Sequence, residues 1–390
     1  MQRFGLLLRI IIAIALGIVI GIIANDWLIR LFATLNDIFG GFLSFIIPLI
    51  IIGFIAPGIG YMGKGAGKLL SITALIAYTS TIFAGIIAFI TASNLYPAIL
   101  NGQSLTMFND PSSALLGGFL DFELHPPFEV VTALILAFVL GIGMAALKNN
   151  ALLNVFNDFR SIVELVISKA IIPLLPFHIF GIFANMTHAG QVASILQVFA
   201  VVFVMIILLH ILYLILQYSF AGALNKQNPF QMLKTMLPAY FTALGTQSSA
   251  ATIPVTLEQT KKLKVKDNIA GFTIPLLANI HLSGSTITLL SCATAVLFLQ
   301  GESITFGTIF PFLLVLGVTM IAAPGVPGGA VMASIGLLES MLGFSPTMVS
   351  LMIALYLAQD SLGTACNVTG DGAIASITDS INNRWHITKK

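Results

Sequence analysis

Positive charge is missing where it would be hardest to do without. From Asp267 to Asn383 the chain contains no lysine or arginine, so no cation from that stretch can neutralise a buried carboxylate within it. Charge of either sign is scarce throughout. Only 8% of the 390 residues are charged and 57% are hydrophobic, against about 25% charged in soluble domains. That composition excludes a water-soluble surface, and the length accommodates roughly eight membrane spans with short loops. Cysteine is nearly absent: Cys292 and Cys366 both lie in apolar segments, which excludes a disulfide framework and a zinc spacing. The formal net charge of +2 gives no sign of a nucleic-acid partner. Near the start, Arg3 and Arg9 precede an apolar run that continues to Ile23 without a small-residue cleavage site and ends at Asn25-Asp26-Trp27. It reads as a retained first span with an interfacial anchor. The chain is expected to be an all-α polytopic membrane protein.

The few basic residues cluster. Arg3, Arg9, Lys64, Lys68, Lys148, Lys226, Lys234, the run Lys261, Lys262, Lys264, Lys266 and the tail Arg384, Lys389, Lys390 all fall on one side if the amino terminus is cytoplasmic. Residues 69–147 carry none, and the loop within them holds Asp110, Asp121 and Glu123. The positive-inside rule then puts both termini in the cytoplasm, and the chain is expected in the inner (plasma) membrane. The lysine run also suits anionic lipid. The pattern predicts spans at 5–24, 31–57, 67–94, 128–147, 151–185 and 190–222, with a long external loop at 95–127. Arg160 and Lys169 suggest a long tilted fifth helix whose basic side chains snorkel.

Beyond residue 225 the texture changes. Segment 229–259 is interrupted by Gly245-Thr246-Gln247-Ser248-Ser249-Ala250-Ala251-Thr252-Ile253-Pro254, and 303–343 by Ala323-Pro324-Gly325-Val326-Pro327-Gly328-Gly329. Each reads as helix, break, helix, and each precedes a long segment with unusual polar residues, 267–297 and 346–380. The flanking charges put the first hairpin on the cytoplasmic side and the second outside. Glycine-kinked spans are the alternative for either one. Two in matched positions form an inverted repeat with re-entrant tips, a sequence sign of secondary transporters.

Asp360, Thr364, Asn367 and Asp371 stand at i, i+4, i+7 and i+11. At ~100° per residue they fall within ~60° of one another, a single polar stripe on a helix. A charged side chain in lipid costs at least ~2.5–3.5 kcal/mol, so the stripe must face protein, water or a bound ion. Asp371 and Asn367 offer oxygens to a monovalent cation. Asp360 can accept from a substrate ammonium and Asn367 can donate to a carboxylate; a structural network between helices is the other reading. Ser248 and Ser249 lie at a break where helix amides can hold a carboxylate, or where they simply cap the helix. In 279–286, Asn279-Ile280-His281-Leu282-Ser283-Gly284-Ser285-Thr286, Gly284 is expected to let the backbone unwind and expose carbonyls to sodium. His281 reads either as a neutral, hydrogen-bonded core histidine or as a proton-coupling group.

These motifs resemble the dicarboxylate/amino acid:cation symporter family, the glutamate-transporter fold, across essentially the whole chain. The first tip Gln247-Ser248-Ser249-Ala250-Ala251-Thr252-Ile253-Pro254, the second tip Gly325-Val326-Pro327-Gly328 and the stripe Asp360-Ser361-Leu362-Gly363-Thr364-Ala365-Cys366-Asn367-Val368-Thr369-Gly370-Asp371 carry the resemblance. It implies eight transmembrane helices plus two re-entrant hairpins, assembled as a homotrimer and working as an elevator. Residues 1–66 and 128–188 would be scaffold, 67–94 and 189–380 the transport domain, and 381–390 a cytoplasmic tail. Asp360 would receive the substrate amino group and Asn367 its carboxylate, with Ser248, Ser249, Ser285, Val326, Gly363 and Thr364 lining the site. Asp371, Asn367 and the Leu277 carbonyl would form one sodium site and the carbonyls of Asn279, Met320, Ile321 and Ala323 another, with His281 among the ion-binding residues.

Two departures from the family pattern carry information. Acid-selective members place an arginine at the first tip or in the last helix, where this chain has Gln247 and Gly363. A second substrate carboxylate would therefore be buried without a counter-charge. The implied cargo is a small neutral amino acid of the serine, threonine or alanine type. An acidic amino acid or dicarboxylate is the alternative cargo. Next, the family's aspartate for a third sodium is Ser283, beside Thr79 and Ser80, and its asparagine is His281. Fewer sodium ions, with a proton as a further coupling ion, are implied. An ion channel is the competing class, and a serine hydrolase built on Ser248 or Ser249 has no supporting spacing.

Overall fold

A computed structural model describes residues 6–63, 68–100, 115–120, 124–190, 192–301, 305–323 and 328–385. All regular structure among them is helical, as expected of a chain too apolar to leave backbone groups unbonded in hydrocarbon. In order the helices are α1 (Leu6–Ile23), α2 (Asp26–Gly63), α3 (Lys68–Leu100), α4 (Val130–Ala146), α5 (Ala151–Val166) and α6 (Ile172–His188). They continue as α7 (Val192–Asn225), α8 (Pro229–Thr246), α9 (Ser249–Lys262), α10 (Asp267–Ile280) and α11 (Ser283–Leu299). The last are α12 (Phe306–Ala322), α13 (Gly329–Leu342), α14 (Pro346–Leu357) and α15 (Asp360–Trp385). A π-helical turn, Ile167–Ile171, joins α5 to α6.

Among the described residues, five helical stretches are long and apolar enough to cross a membrane: 26–60, 68–99, 151–188, 196–225 and 267–299. The pair α14 and α15, bent by 59° at their junction, makes a sixth. Helices α1, α4, α12 and α13 are apolar but shorter. Proline does not end these elements. Pro48 and Pro57 lie inside α2, and Pro97 inside α3.

Two groups of helices emerge from the packing. In one, α2 lies against α4, α5 and α6, and α1 against α6. In the other, α15 is enclosed by α7, α8, α9, α10 and α11, while α3 packs on α11. The groups touch where α12 and α13 meet α2, and where α14 meets α1 and α6. Apolar side chains such as Ile50, Phe54 and Ile179 fill the first group, and Ile274, Leu277 and Val368 underlie α15 in the second.

Several expectations change. The second and third spans run past their expected ends, to Gly63 and Leu100. Within the external loop, Asp110, Asp121 and Glu123 lie outside the described residues. Residues 115–120 are fastened to the first group: Arg30 donates to the Gly117 and Gly118 carbonyls at 3.2 and 3.3 Å. Asn185 and Leu116 exchange two further bonds. Arg160 pairs with Glu164 at 3.0 Å and lies over the Phe54 ring.

Candidate functional site

The candidate residues gather where helices stop and restart. At the first tip, α8 ends at Thr246 and Gln247 takes the left-handed conformation, φ +54°. Its N–H closes on the Ala243 carbonyl at 2.8 Å. Ser248 then opens α9, its hydroxyl accepting from the Ala251 N–H at 3.3 Å. That bond is a helix N-cap. Ser249, at the first helical position, is buried, and α9 runs along α15.

The second break falls at His281-Leu282, between α10 and α11, so Gly284 is not the unwound residue. It sits in the first turn of α11, where a side chain would not fit. A Cβ there would lie 2.5 Å from the Gly363 carbonyl oxygen and 2.6 Å from Cys366 Cβ. Glycine serves close approach of α11 to α15 instead. Asn367 closes this contact. Its Oδ1 accepts from the Gly284 and Ser285 N–H groups at 2.7 and 3.2 Å, and its Nδ2 donates to Ser285 Oγ at 2.9 Å. Both ends of the amide are thus directed at the start of α11, which satisfies two of its four unbonded amides.

One turn further along, the Asp371 carboxylate meets His281. Oδ1 lies 2.8 Å from Nδ1, with side-chain exposures of 1% and 0%. The other ring nitrogen is 3.0 Å from Ser80 Oγ on α3 and 3.4 Å from Gln217 Nε2 on α7. Ser80 Oγ also meets the Tyr213 hydroxyl at 2.9 Å and accepts from Gln217 at 3.0 Å. His281 therefore stands between two oxygens assigned to separate sodium sites. Thr79 is exposed and does not join them. Ser283 Oγ is buried without a hydrogen-bond partner.

Asp360 opens α15 just past the bend. Its Oδ2 accepts from the Gly328 N–H at 2.7 Å, linking α15 to the start of α13, and Thr364 Oγ1 donates back to the Asp360 carbonyl at 2.9 Å. Gly363 is buried against α11, and a Cβ would make ordinary contact with Thr288 Oγ1 at 3.4 Å. Val326 lies outside the described residues. Leu277 and Asn279 belong to the last turn of α10, and Met320, Ile321 and Ala323 to the end of α12. Carbonyls at such helix ends lack intrahelical partners and favour cations. The Leu277 carbonyl already accepts from the His281 N–H at 2.9 Å. The Asn279 side chain is exposed and bonds its own helix at the Pro275 carbonyl, 2.8 Å away.

No guanidinium answers these carboxylates among the described residues: Asp360 is met by a backbone amide and Asp371 by an imidazole. Arg30, Arg160 and Arg384 bond elsewhere. Two buried acids that lack a strong cation, beside helix ends of both polarities, can hold an ammonium or metal cation together with a carboxylate.

The sequence reading placed α7 but missed its polar side chains. His210 Nε2 bonds the Gly284 carbonyl at 3.0 Å and approaches Thr288 Oγ1 at 3.3 Å, while Tyr213 and Gln217 reach Ser80. The Tyr218 hydroxyl donates to the Thr369 carbonyl at 2.6 Å. A signal existed: 210, 213 and 217 are polar positions at i, i+3 and i+7 in the strongly apolar middle of the helix.

The profile of the sodium:dicarboxylate symporter family matches residues 6–381. A protein named serine/threonine transporter SstT, from Enterococcus faecalis, is 22% identical over 391 residues, covering 95% of this chain and 90% of that protein.

Proposed function

The chain belongs to the sodium:dicarboxylate symporter family, and from that premise we propose that it carries a small neutral amino acid of the serine, threonine or alanine type inward with sodium. This is a multi-pass membrane transporter, an amino acid or dicarboxylate symporter and not an enzyme. The neutral cargo rests on one observation, that among the described residues the buried Asp360 carboxylate is met by the Gly328 amide and by no cation. An α-ammonium balances that charge. A second carboxylate on the cargo would add an uncompensated one. The name of the Enterococcus relative points the same way.

In this reading α8–α9 and α12–α13 are re-entrant hairpins and the described helices complete eight spans. The group around α15 moves as an elevator against a scaffold of α1, α2, α4, α5 and α6, within a homotrimer. The decisive experiment is uptake into liposomes of labelled serine, threonine, alanine, aspartate and succinate under an inward sodium gradient. Neutral substrates are expected to exceed aspartate and succinate by at least about tenfold. Aspartate or succinate winning that panel refutes the charge argument.

Coupling is proposed to use fewer sodium ions than acid-selective relatives, with a proton as the further ion. The support is geometric: Asp371 Oδ1 and Ser80 Oγ are both engaged by His281. Flux measured against separate sodium and pH gradients, in the wild type and in His281→Ala, decides it. An unchanged pH dependence in the variant removes the histidine from coupling.

A further inference from the structure

One buried polar group near Asp360 has no task in the account above. Tyr356 is wholly buried in the last turn of α14. Its hydroxyl comes within reach of both the Asp360 carboxylate and Ser285, yet it forms no hydrogen bond of normal geometry to either. A buried hydroxyl left unbonded costs about 1–3 kcal/mol, and most buried polar groups avoid it. The phenol also stands where three elements meet. Asp360 opens α15, Ser285 belongs to the first turn of α11, and Gly328 precedes α13. A Cβ on Gly328 would lie 2.9 Å from Leu357 Cδ2, so the second hairpin closes directly over the end of α14.

The other unbonded polar atoms nearby do not compete for this role. Gln217 Oε1 faces Gly370 on the far side of His281, and Gln359 is tied by its amide to the Leu355 carbonyl. Among the described residues, the phenol is the unbonded group within reach of the carboxylate proposed to take the substrate ammonium.

We propose that Tyr356 reads the cargo's side chain, its hydroxyl bonding the side-chain hydroxyl of a serine- or threonine-type substrate held at Asp360. The inference rests on the neutral amino acid reading and narrows it from small neutral to small and hydroxylated. A site built to bond a hydroxyl discriminates against the analogue without one, because its own polar group is then left unpaired. Alanine is that analogue for serine.

The test is competition between serine and alanine for uptake in liposomes, in the wild type and in Tyr356→Phe, with apparent KM and kcat determined for each. The phenylalanine variant removes one oxygen and keeps the ring, so its thermal stability without substrate should not fall. The expected result is a drop of at least about fivefold in the serine-to-alanine ratio of kcat/KM, carried by the KM for serine. An unchanged ratio overturns the inference while leaving neutral uptake standing. So does a loss of substrate-free thermal stability by several degrees, which would reveal a structural partner. A wild type that transports aspartate or succinate in preference to both overturns the inference together with the reading beneath it.

Discussion

Asp360 is the acid on which the proposed chemistry turns, and Asp360→Asn is the cleanest probe of it. Asparagine has the same shape and can still accept from the Gly328 N–H, so folding should survive while the negative charge disappears. A charge-assisted bond to an ammonium in a dry site is far stronger than a neutral one. Uptake should therefore fall by roughly a hundredfold or more, read as initial rates in liposomes with a melting curve as control. Gly363→Arg is the complementary gain of charge. Its Cβ meets only ordinary contacts, at 3.4 Å from Thr288 Oγ1 and 3.5 Å from the Ser285 N–H, so the longer side chain has an unobstructed start. The aspartate-to-serine uptake ratio should rise by about tenfold or more; a folded variant with the wild-type ratio contradicts the assignment. The stripe 360–371 could be read from the sequence because helical periodicity places four residues on one face without reference to anything else. The partner of His281 could not. Ser80 is 201 residues away, and no local pattern says which face of α3 meets the end of α10.

Helix ends, more than helix middles, build the site, and their legibility varied with the residues at each break. The break between α8 and α9 is legible in its glycine, serine and proline, and Asn228-Pro229 marks the start of α8 as a capped helix. The bend before α15 had no such sign. Ala358 and Gln359 are ordinary helix residues, yet the axis turns by 59° there, so tertiary contact, with Gly328 at the start of α13 pressed on Leu357, overrides local preference. Gly284 was noticed for the wrong reason: it matters as a missing side chain at a crossing. Gly284→Ala should push α11 off α15 and lower stability by about 1–3 kcal/mol. A fall of several degrees in the melting temperature of detergent-solubilised protein, accompanied by reduced uptake, is the outcome to look for. Equal melting curves would show that the crossing can relax.

The two helix groups are joined by more than apolar contact. His178 on α6 is buried, its Nδ1 paired with the Asn36 amide on α2 at 3.1 Å and its Nε2 with Ser350 Oγ on α14 at 2.9 Å. It thereby ties the proposed scaffold to the proposed moving part. If the groups slide past each other during transport, that second bond must break in each cycle. Ser350→Ala deletes it, and turnover should rise by up to about fivefold while KM stays within about twofold. A change confined to KM would place Ser350 in substrate binding instead. What aims His178 at this seam is the π-helical turn Ile167–Ile171. One surplus residue there sets the phase of everything that follows. Shortening that turn by Ser168 would rotate α6 by about 100° against α5. A neighbouring apolar side chain would then face Asn36 and Ser350, and the fastening would be lost with no change to the residues that form it.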